Sequence, residues 1–152
     1  MNTETIVEIL IVEDNEQDLA LAQRALRKAK VSNRIHVARD GEEALQFLFC
    51  EGPHAERKME DGPKVILLDL KLPKIDGLEV LQRIKSDTRT KAIPVVVLTS
   101  SKEQSDVVET YNLGVNSYIV KPVNFEQFSE TARQLGYYWL LVNRQPAELV
   151  GT

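Results

Sequence analysis

The feature that most constrains the fold of this chain is the segment Val65-Ile66-Leu67-Leu68, which is followed at once by Asp69. Four consecutive branched apolar residues predict a strand buried on both faces, as strands are inside a parallel sheet. Pro73 and the pair Asp76-Gly77 then indicate a turn. An ionised carboxylate at the end of a buried strand is costly unless a cation lies near it. Because ligands of open parallel sheets bind beyond the carboxyl ends of the strands, Asp69 is a candidate functional residue.

Segments that predict strands alternate five times with segments that predict helices. The strands are expected over residues 6–12, 34–38, 65–68, 94–99 and 117–121. The helices are expected over about 16–30, 41–50, 78–86, 103–112 and 125–143, with apolar residues at intervals of three and four. The polar stretch 51–62 carries a Gly-Pro pair near each end and is predicted to be a surface loop. Such alternation is typical of a doubly wound α/β fold.

Length and composition limit the classes of protein to consider. The 152 residues suit one domain, which we expect over residues 1–143 with a tail over 144–152. A net charge of −4 argues against a nucleic-acid partner. The single cysteine, Cys50, excludes an intramolecular disulfide and is expected to pack late in a helix. Because there is no basic leader and no apolar run of ~18 residues, we expect a cytoplasmic protein without a membrane segment.

Four of the predicted strands end on chemically active side chains. These side chains belong to Glu13 and Asp14, Asp69, Thr99 and Lys121. Because the carboxyl ends of parallel strands lie along one edge of the sheet, we expect them to form one pocket. Three neighbouring carboxylates repel one another, and Mg²⁺, which prefers oxygen ligands, would compensate their charge. We expect Asp14 to bind the ion directly, with Glu13 nearby or acting through water.

Acids with Mg²⁺, a lysine and a hydroxyl together predict transfer of a phosphoryl group to a carboxylate. Asp69, on the central strand opposite Lys121, is the expected nucleophile. The Lys121 ammonium and the ion would neutralise the phosphoryl oxygens, and the Thr99 hydroxyl would hydrogen-bond one of them. His36 in the predicted edge strand and His54 in the loop are interpreted as structural or solvated, because the sequence has no His and Cys cluster for a softer metal.

The sequence resembles the receiver domain of two-component response regulators, and is similar to the single-domain chemotaxis type. The matching motifs occur in the family's order over about residues 6–129: Glu13-Asp14, Asp69 with Leu72-Pro73 and Asp76-Gly77, Thr99-Ser100, and Lys121-Pro122. The resemblance implies a five-stranded parallel, flavodoxin-like sheet in the order 2-1-3-4-5 with helices on both faces. It also implies a signalling protein rather than an enzyme, which accepts a phosphoryl group on Asp69 from a sensor histidine kinase.

The resemblance assigns the metal ligands of this site. It implies that Mg²⁺ is held by Asp14, Asp69 and the backbone carbonyl of Lys71, with Glu13 assisting. It further implies that Lys121 contacts the phosphoryl group once it is transferred.

Other family positions are implied to change or shape the conformation. Thr99 and Tyr118 match a switch pair in which the hydroxyl moves towards the phosphate and the ring turns inward. Pro122 matches a residue that follows a cis peptide bond. Asp76 is expected to shape its turn and cap the next helix rather than bind metal.

Two features exceed a minimal receiver, namely the stretch 51–62 and the continuation of the last helix through Tyr137-Tyr138-Trp139-Leu140-Leu141-Val142. Both resemble small receivers that partner phytochrome-type histidine kinases in cyanobacteria and other bacteria. Tyr137, Tyr138 and Leu141 lie off or at the margin of the helix's apolar stripe. An apolar patch of this kind predicts a homodimer through the last helix and the fifth strand, with packing on the C-terminal tail as the alternative.

Other functions compete with a phosphoacceptor. Mg²⁺-dependent phosphatases that form an aspartyl phosphate resemble one another in a second Asp two positions after the nucleophile, where this chain has Lys71. A flavodoxin-like cofactor binder needs a phosphate loop after the first strand, and Glu13-Asp14 would repel its phosphate. A receiver used only as a scaffold would not need the intact reactive positions. Within the family, a phosphorelay intermediate that passes phosphate to a histidine phosphotransfer protein competes with a diffusible output.

Overall fold

A computed structural model describes residues 9–28, 34–121 and 124–137, with side chains up to residue 133. Over these ranges five strands alternate with five α-helices. The strands are β1 (Ile9–Val12), β2 (Ile35–Ala38), β3 (Val65–Leu68), β4 (Val95–Thr99) and β5 (Ser117–Val120). The helices are α1 (Glu16–Lys28), α2 (Gly41–Leu48), α3 (Gly77–Ser86), α4 (Gln104–Asn112) and α5 (Phe125–Tyr137). None of these described helices is long and apolar enough to cross a bilayer.

The five strands form one parallel sheet in the order β2-β1-β3-β4-β5, which confirms the predicted fold. Every residue of β1, β3 and β4 is buried, whereas β2 at the edge is half-buried up to Ala38. The continuous apolar runs of the central strands follow from this burial on both faces. Because Val12 pairs with Leu68 and Thr99 with Val120, the residues after these strands line one edge of the sheet.

Helices cover both faces of the sheet, since alternate strand residues belong to two separate apolar clusters. Leu10, Ile66 and Val97 pack with α2 and α3, whereas Ile11 and Leu67 pack with α1 and α5. Side chains of successive strand residues point to opposite faces, so the two clusters are the two sides of the sheet.

The segment 51–62 is not the simple loop that its composition predicted. It contains two short 3₁₀ helices, Gly52–His54 and Met59–Asp61. The Arg57 guanidinium donates hydrogen bonds to the carbonyl oxygens of Phe47 and Asp61. It also lies over the Phe47 ring, 3.8 Å from the ring centroid. The segment is therefore attached to α2 by a polar residue that a hydrophobicity pattern does not reveal.

Three rings join this segment to the edge strand. His36 stacks on Phe47 with the ring centroids 4.1 Å apart, and His54 meets both rings edge-on at 5.2 Å. The structural interpretation of the two histidines therefore agrees with their packing. Burial lowers the pKa of His36, and the nearby His54 and Arg57 lower it further, although Glu43 acts in the opposite direction.

Two details differ from the sequence predictions. Helix α2 ends at Leu48, so Cys50 lies beyond the helix, in a left-handed conformation with a φ of 56°. Asp76 occupies the residue before α3, but its side chain makes no capping hydrogen bond. The turn is instead closed by the backbone, where the Gly77 N–H donates to the Leu70 carbonyl at 3.0 Å.

Some predicted features lie outside the described residues. These are the first residues of strand 6–12, the end of helix 16–30, Pro122 with its peptide bond, and the last helix beyond residue 137 with the domain boundary at 143.

We expect Gly77→Ala to reduce the free energy of unfolding by about 1–3 kcal/mol, since small-to-large changes in packed positions cost this much. A Cβ at residue 77 would lie 2.2 Å from the Asp69 carbonyl oxygen and 2.5 Å from the Leu70 Cα, which are backbone atoms. Gly62→Ala is the matched control, because its Cβ would meet no atom closer than 3.4 Å. Urea denaturation measures both, and equal stability of the two variants would contradict the prediction.

We expect acid to destabilise the wild type partly through His36. Its pKa is lower in the folded protein than its ordinary value of 6.5, so the unfolded chain binds the proton more readily. This contribution is complete above about pH 6.5 and is lost as the pH falls below it. His36→Phe retains a ring beside Phe47 and removes the titration.

Urea denaturation between about pH 7.5 and pH 5.5 gives the unfolding free energies of the wild type and His36→Phe. Their difference isolates the contribution of His36 titration to stability. The wild type should lose more stability than the variant across that range. Parallel pH profiles would show that His36 does not contribute.

Candidate functional site

The site is built where the strands end at one edge of the sheet. Backbone hydrogen bonds extend the sheet by one residue at three places, with N···O distances of 2.9, 3.1 and 2.8 Å: Glu13 to Ala38, Asp69 to Val12, and Lys121 to Thr99. The first side chain after each strand is therefore positioned by the sheet itself. Apolar runs that end on these residues bring their charged groups together.

Lys121 lies at the centre of this group. Its Nζ is 2.7 Å from Glu13 Oε1, 2.8 Å from Asp18 Oδ2 and 2.9 Å from Asp69 Oδ2. The Lys121 side chain is 10% exposed, so these charges interact largely away from solvent. Burial acts to lower the pKa of Lys121, but the contacts with the three carboxylates outweigh it and raise this pKa above its ordinary value.

The contact with Lys121 does not offset the effect of burial on the Glu13 carboxyl group. Burial raises the pKa of Glu13 to about 7, and Asp69 adds to the effect, although the hydrogen bond from Lys121 opposes it. The second Glu13 oxygen accepts the Asn15 N–H at 3.2 Å. Near neutral pH a further cation would favour full ionisation of this carboxyl group.

Asp69 is held through both of its carboxylate oxygens. Lys121 donates to Oδ2, and the backbone N–H of Lys71 donates to Oδ1 at 3.0 Å. The side chain of Asp69 is buried, yet it borders a cavity of about 430 Å³ at the sheet edge. The cavity is lined by Asp14, Asn15, Asp18, Asp69, Lys71, Ser100 and Lys121. The carboxylate is thus fixed in orientation and reachable from outside.

The acids at this edge fit a divalent metal ion. Glu13, Asp14 and Asp69 each place a carboxylate oxygen within 4.8 Å of the others. Asp14 is exposed, so an ion there could keep bound waters. Hard oxygen donors with one side open to solvent suit Mg²⁺. The backbone carbonyl of Lys71 as a further ligand stays a prediction, although Lys71 lines the same cavity.

Thr99 and Tyr118 do not line this cavity, and both contact Ser101. Thr99 is fully buried, and its Oγ1 accepts the Ser101 N–H at 3.4 Å. The Tyr118 hydroxyl donates to the Ser101 carbonyl at 3.0 Å. The Ser101 hydroxyl also donates to Asp106 Oδ2 at 2.5 Å, which connects the segment to α4.

Sequence reasoning missed Asp18 as part of the site. It lies in the first turn of α1, the helix that directly follows Glu13-Asp14. An acid at the start of that helix is a signal by which Asp18 could have been found, but attention to strand ends passes over the helix that follows.

Comparison with known proteins gives the same assignment of fold along most of the chain. The response regulator receiver domain model matches residues 9–133. The chain is 44% identical over 142 residues to the probable methanogenesis regulatory protein FilR2 of Methanothrix harundinacea, covering 91% of this chain and 86% of that protein. It is 40% identical over 139 residues to the response regulator Rcp1 of Synechocystis, covering 91% and 92%.

Solved structures of phytochrome response regulators are also similar. The bacteriophytochrome response regulator RtBRR is 52% identical with a TM-score of 0.77, over 93% of this chain and 85% of that chain. The phosphorylated cyanobacterial phytochrome response regulator RcpA is 42% identical with a TM-score of 0.79, over 92% and 98%. The Mn²⁺-bound form of Rcp1 is 38% identical with a TM-score of 0.78, over 92% and 99%.

We expect Lys121→Met to lower the free energy of unfolding by about 3–5 kcal/mol near neutral pH, because it leaves buried carboxylates without their cation. The matched control is Lys74→Met, because the Lys74 side chain is 61% exposed and its ammonium lies 3.6 Å from Asp40 and 3.7 Å from Glu42. An exposed pair of this kind contributes at most about 1 kcal/mol. Urea denaturation without divalent ions measures both, and equal losses would contradict the central role of Lys121.

Proposed function

The chain belongs to the response regulator receiver family, and on that premise we propose that it accepts a phosphoryl group on Asp69 from a sensor histidine kinase. The observation that carries the proposal is that Lys121 and the Lys71 N–H each donate a hydrogen bond to one oxygen of the Asp69 carboxylate. This carboxylate lies at the wall of an open acidic cavity. The domain would then act as a signalling module whose phosphorylated form engages a partner, rather than as an enzyme acting on a separate substrate.

The transfer is balanced by simple displacement at phosphorus. The bond from phosphorus to the kinase histidine nitrogen breaks while a bond to an Asp69 oxygen forms. The histidine leaves as neutral imidazole when its other ring nitrogen carries a proton. Lys121 donates to a phosphoryl oxygen in place of Asp69 Oδ2, and the Lys71 N–H keeps the carboxylate in the same plane.

The same acids would hold the cofactor. Asp14, Asp69 and the Lys71 carbonyl, with Glu13 beside them, are the proposed Mg²⁺ ligands. When bound, the ion would neutralise charge on the phosphoryl oxygens. The similar protein Rcp1 has been solved in a Mn²⁺-bound form, which supports the binding of a divalent ion by this chain.

The switch would use Thr99 and Tyr118. A hydroxyl can donate one hydrogen bond while it accepts another, so Thr99 could donate to a phosphoryl oxygen without releasing the Ser101 N–H. A movement of Thr99 towards the phosphate would therefore carry Ser101 with it. Because Tyr118 donates to the Ser101 carbonyl, the movement would reach β5.

The sensor kinase is proposed to be of the phytochrome type. RtBRR and RcpA are phytochrome response regulators that this chain resembles over most of their lengths. The chain is also similar to FilR2, a probable methanogenesis regulatory protein, so the phytochrome pairing needs a direct phosphotransfer assay with a phytochrome kinase. A cytoplasmic location, the homodimer through the last helix and β5, and transfer to a histidine phosphotransfer protein stay predictions.

We expect acetyl phosphate to add one phosphoryl group to the wild type when Mg²⁺ is present, and none to Asp69→Asn. The reason is that the Asp69 carboxylate, among the described residues, combines contacts with Lys121 and a backbone donor with a place on the cavity wall. Intact-mass measurement follows the reaction, and the bond should be labile in base. Asp87→Asn is the matched control, because Asp87 pairs with Arg89 beyond the other end of α3.

Incorporation at a residue other than Asp69 would contradict the assignment of the acceptor. No incorporation from acetyl phosphate or from a phytochrome kinase, in protein that binds Mg²⁺, would contradict the function itself.

A further inference from the structure

Asp18 is fixed in place by its own helix. Its backbone N–H donates to the Asn15 side chain at 2.9 Å, at the start of α1. The Asn15 N–H in turn donates to Glu13 at 3.2 Å. Glu13 and Asp18 both contact Lys121, so these four residues form a closed ring of contacts. The Asp18 carboxylate is therefore held at the cavity wall by α1 and its first turn.

This ring of contacts matters because phosphorylation of Asp69 must replace one of the contacts of Lys121. The Lys121 ammonium has three N–H groups and three carboxylates within 2.9 Å. When a phosphoryl group arrives, the contact with Asp69 gives way to a contact with a phosphoryl oxygen. The contacts with Glu13 and Asp18 are the two that can persist through this exchange.

A contact with Glu13 alone would leave the position of the Lys121 ammonium poorly defined. A lysine side chain is a flexible four-carbon stem with a compact charge at its end. One anchor leaves that charge free to swing, whereas two anchors on β1 and α1 direct its remaining N–H at the acceptor. Glu13 is also one of the acids placed to assist a metal ion, which makes a separate anchor useful.

We propose that Asp18 is a positioning residue for phosphoryl transfer, which holds the Lys121 ammonium towards Asp69 through an ion pair between α1 and the end of β5. The inference rests on the proposed function and adds a residue outside the motifs of the family resemblance. It concerns the ammonium position, not the binding of the metal ion.

Charge repulsion acts in the opposite direction. Asp18 adds a negative charge to a cavity that must admit an anionic phosphodonor, so its removal could speed the reaction. Its side chain is 36% exposed, where solvent weakens such repulsion, whereas Lys121 is 10% exposed. Positioning therefore dominates, and the two effects predict rate changes of opposite sign.

The test measures phosphorylation by acetyl phosphate at saturating Mg²⁺ over a range of donor concentrations. Asp18→Ala should lower the maximal rate about two- to tenfold, the effect of losing one contact in the transition state. The donor concentration at half-maximal rate should stay near the wild-type value. Asp18→Asn keeps an acceptor oxygen at the same place and should restore part of the rate.

Glu16→Ala is the matched control, because Glu16 lies in the same helical turn, is 77% exposed and pairs with Arg39. It should react like the wild type. All variants are compared at a temperature where their circular dichroism shows them folded.

A rate for Asp18→Ala equal to or above that of the wild type would overturn the positioning role and leave the proposed function intact. If Asp18→Asn and Glu16→Ala lost as much of the maximal rate as Asp18→Ala, the positioning role would be overturned too. Such a result would indicate a general effect on α1. If the wild type itself takes up no phosphoryl group from acetyl phosphate or from a phytochrome kinase, the proposed function and this role both fail.

Discussion

The balance between one buried ammonium and the carboxylates around it is the constraint on which this site depends. Lys121 contacts three acids, and Asp14 lies beside two of them, so the site keeps an excess of negative charge. Burial raises the pKa of Glu13, and the like charge of Asp69 adds to the effect, so keeping these acids ionised costs stability. The same excess would favour the binding of a cation. The cost in stability and the proposed metal binding would then be two consequences of one charge arrangement.

The fold imposes this arrangement through backbone hydrogen bonds rather than through the acids themselves. The Asp69 N–H is paired with Val12 and its carboxylate accepts the Lys71 N–H, so backbone groups hold both the main chain and the side chain of Asp69 beside its like-charged neighbours. On the other side, α3 begins directly against the Asp69 backbone, and only a glycine at residue 77 allows this approach. The acceptor is thus fixed between the sheet and a helix. Such preorganisation suits a reaction in which the protein mainly positions charge.

The sequence was informative where one physical cause dominated. Burial on both faces makes β1 and β3 continuous apolar runs, so their ends, and with them Asp14 and Asp69, could be located. Residue type alone was less informative for Asp76, because it predicts a cap position but not the direction of the side chain. Asp18 was missed because its role depends on a partner 103 residues away in the chain, at the end of another strand.

The segment 51–62 shows a different limit of sequence patterns. Arg57, His36 and His54 pack against the Phe47 ring and attach the segment to α2. Arginine and histidine count as polar in a hydrophobicity pattern, so the pattern does not predict this attachment. A long polar segment can therefore be attached to the fold through its polar side chains.

Ser101 contacts Thr99, β5 and α4, and these contacts are a route by which phosphorylation of Asp69 could change β5 and α4. Its N–H contacts Thr99, its carbonyl accepts from Tyr118, and its hydroxyl donates to Asp106 on α4. These three bonds leave the residue little freedom to move independently of its neighbours. In the proposed switch, a displacement of Thr99 would be accommodated in β5 and α4 together. Because packed interfaces tend to have discrete alternative arrangements, such coupling would convert a small movement into a change of state.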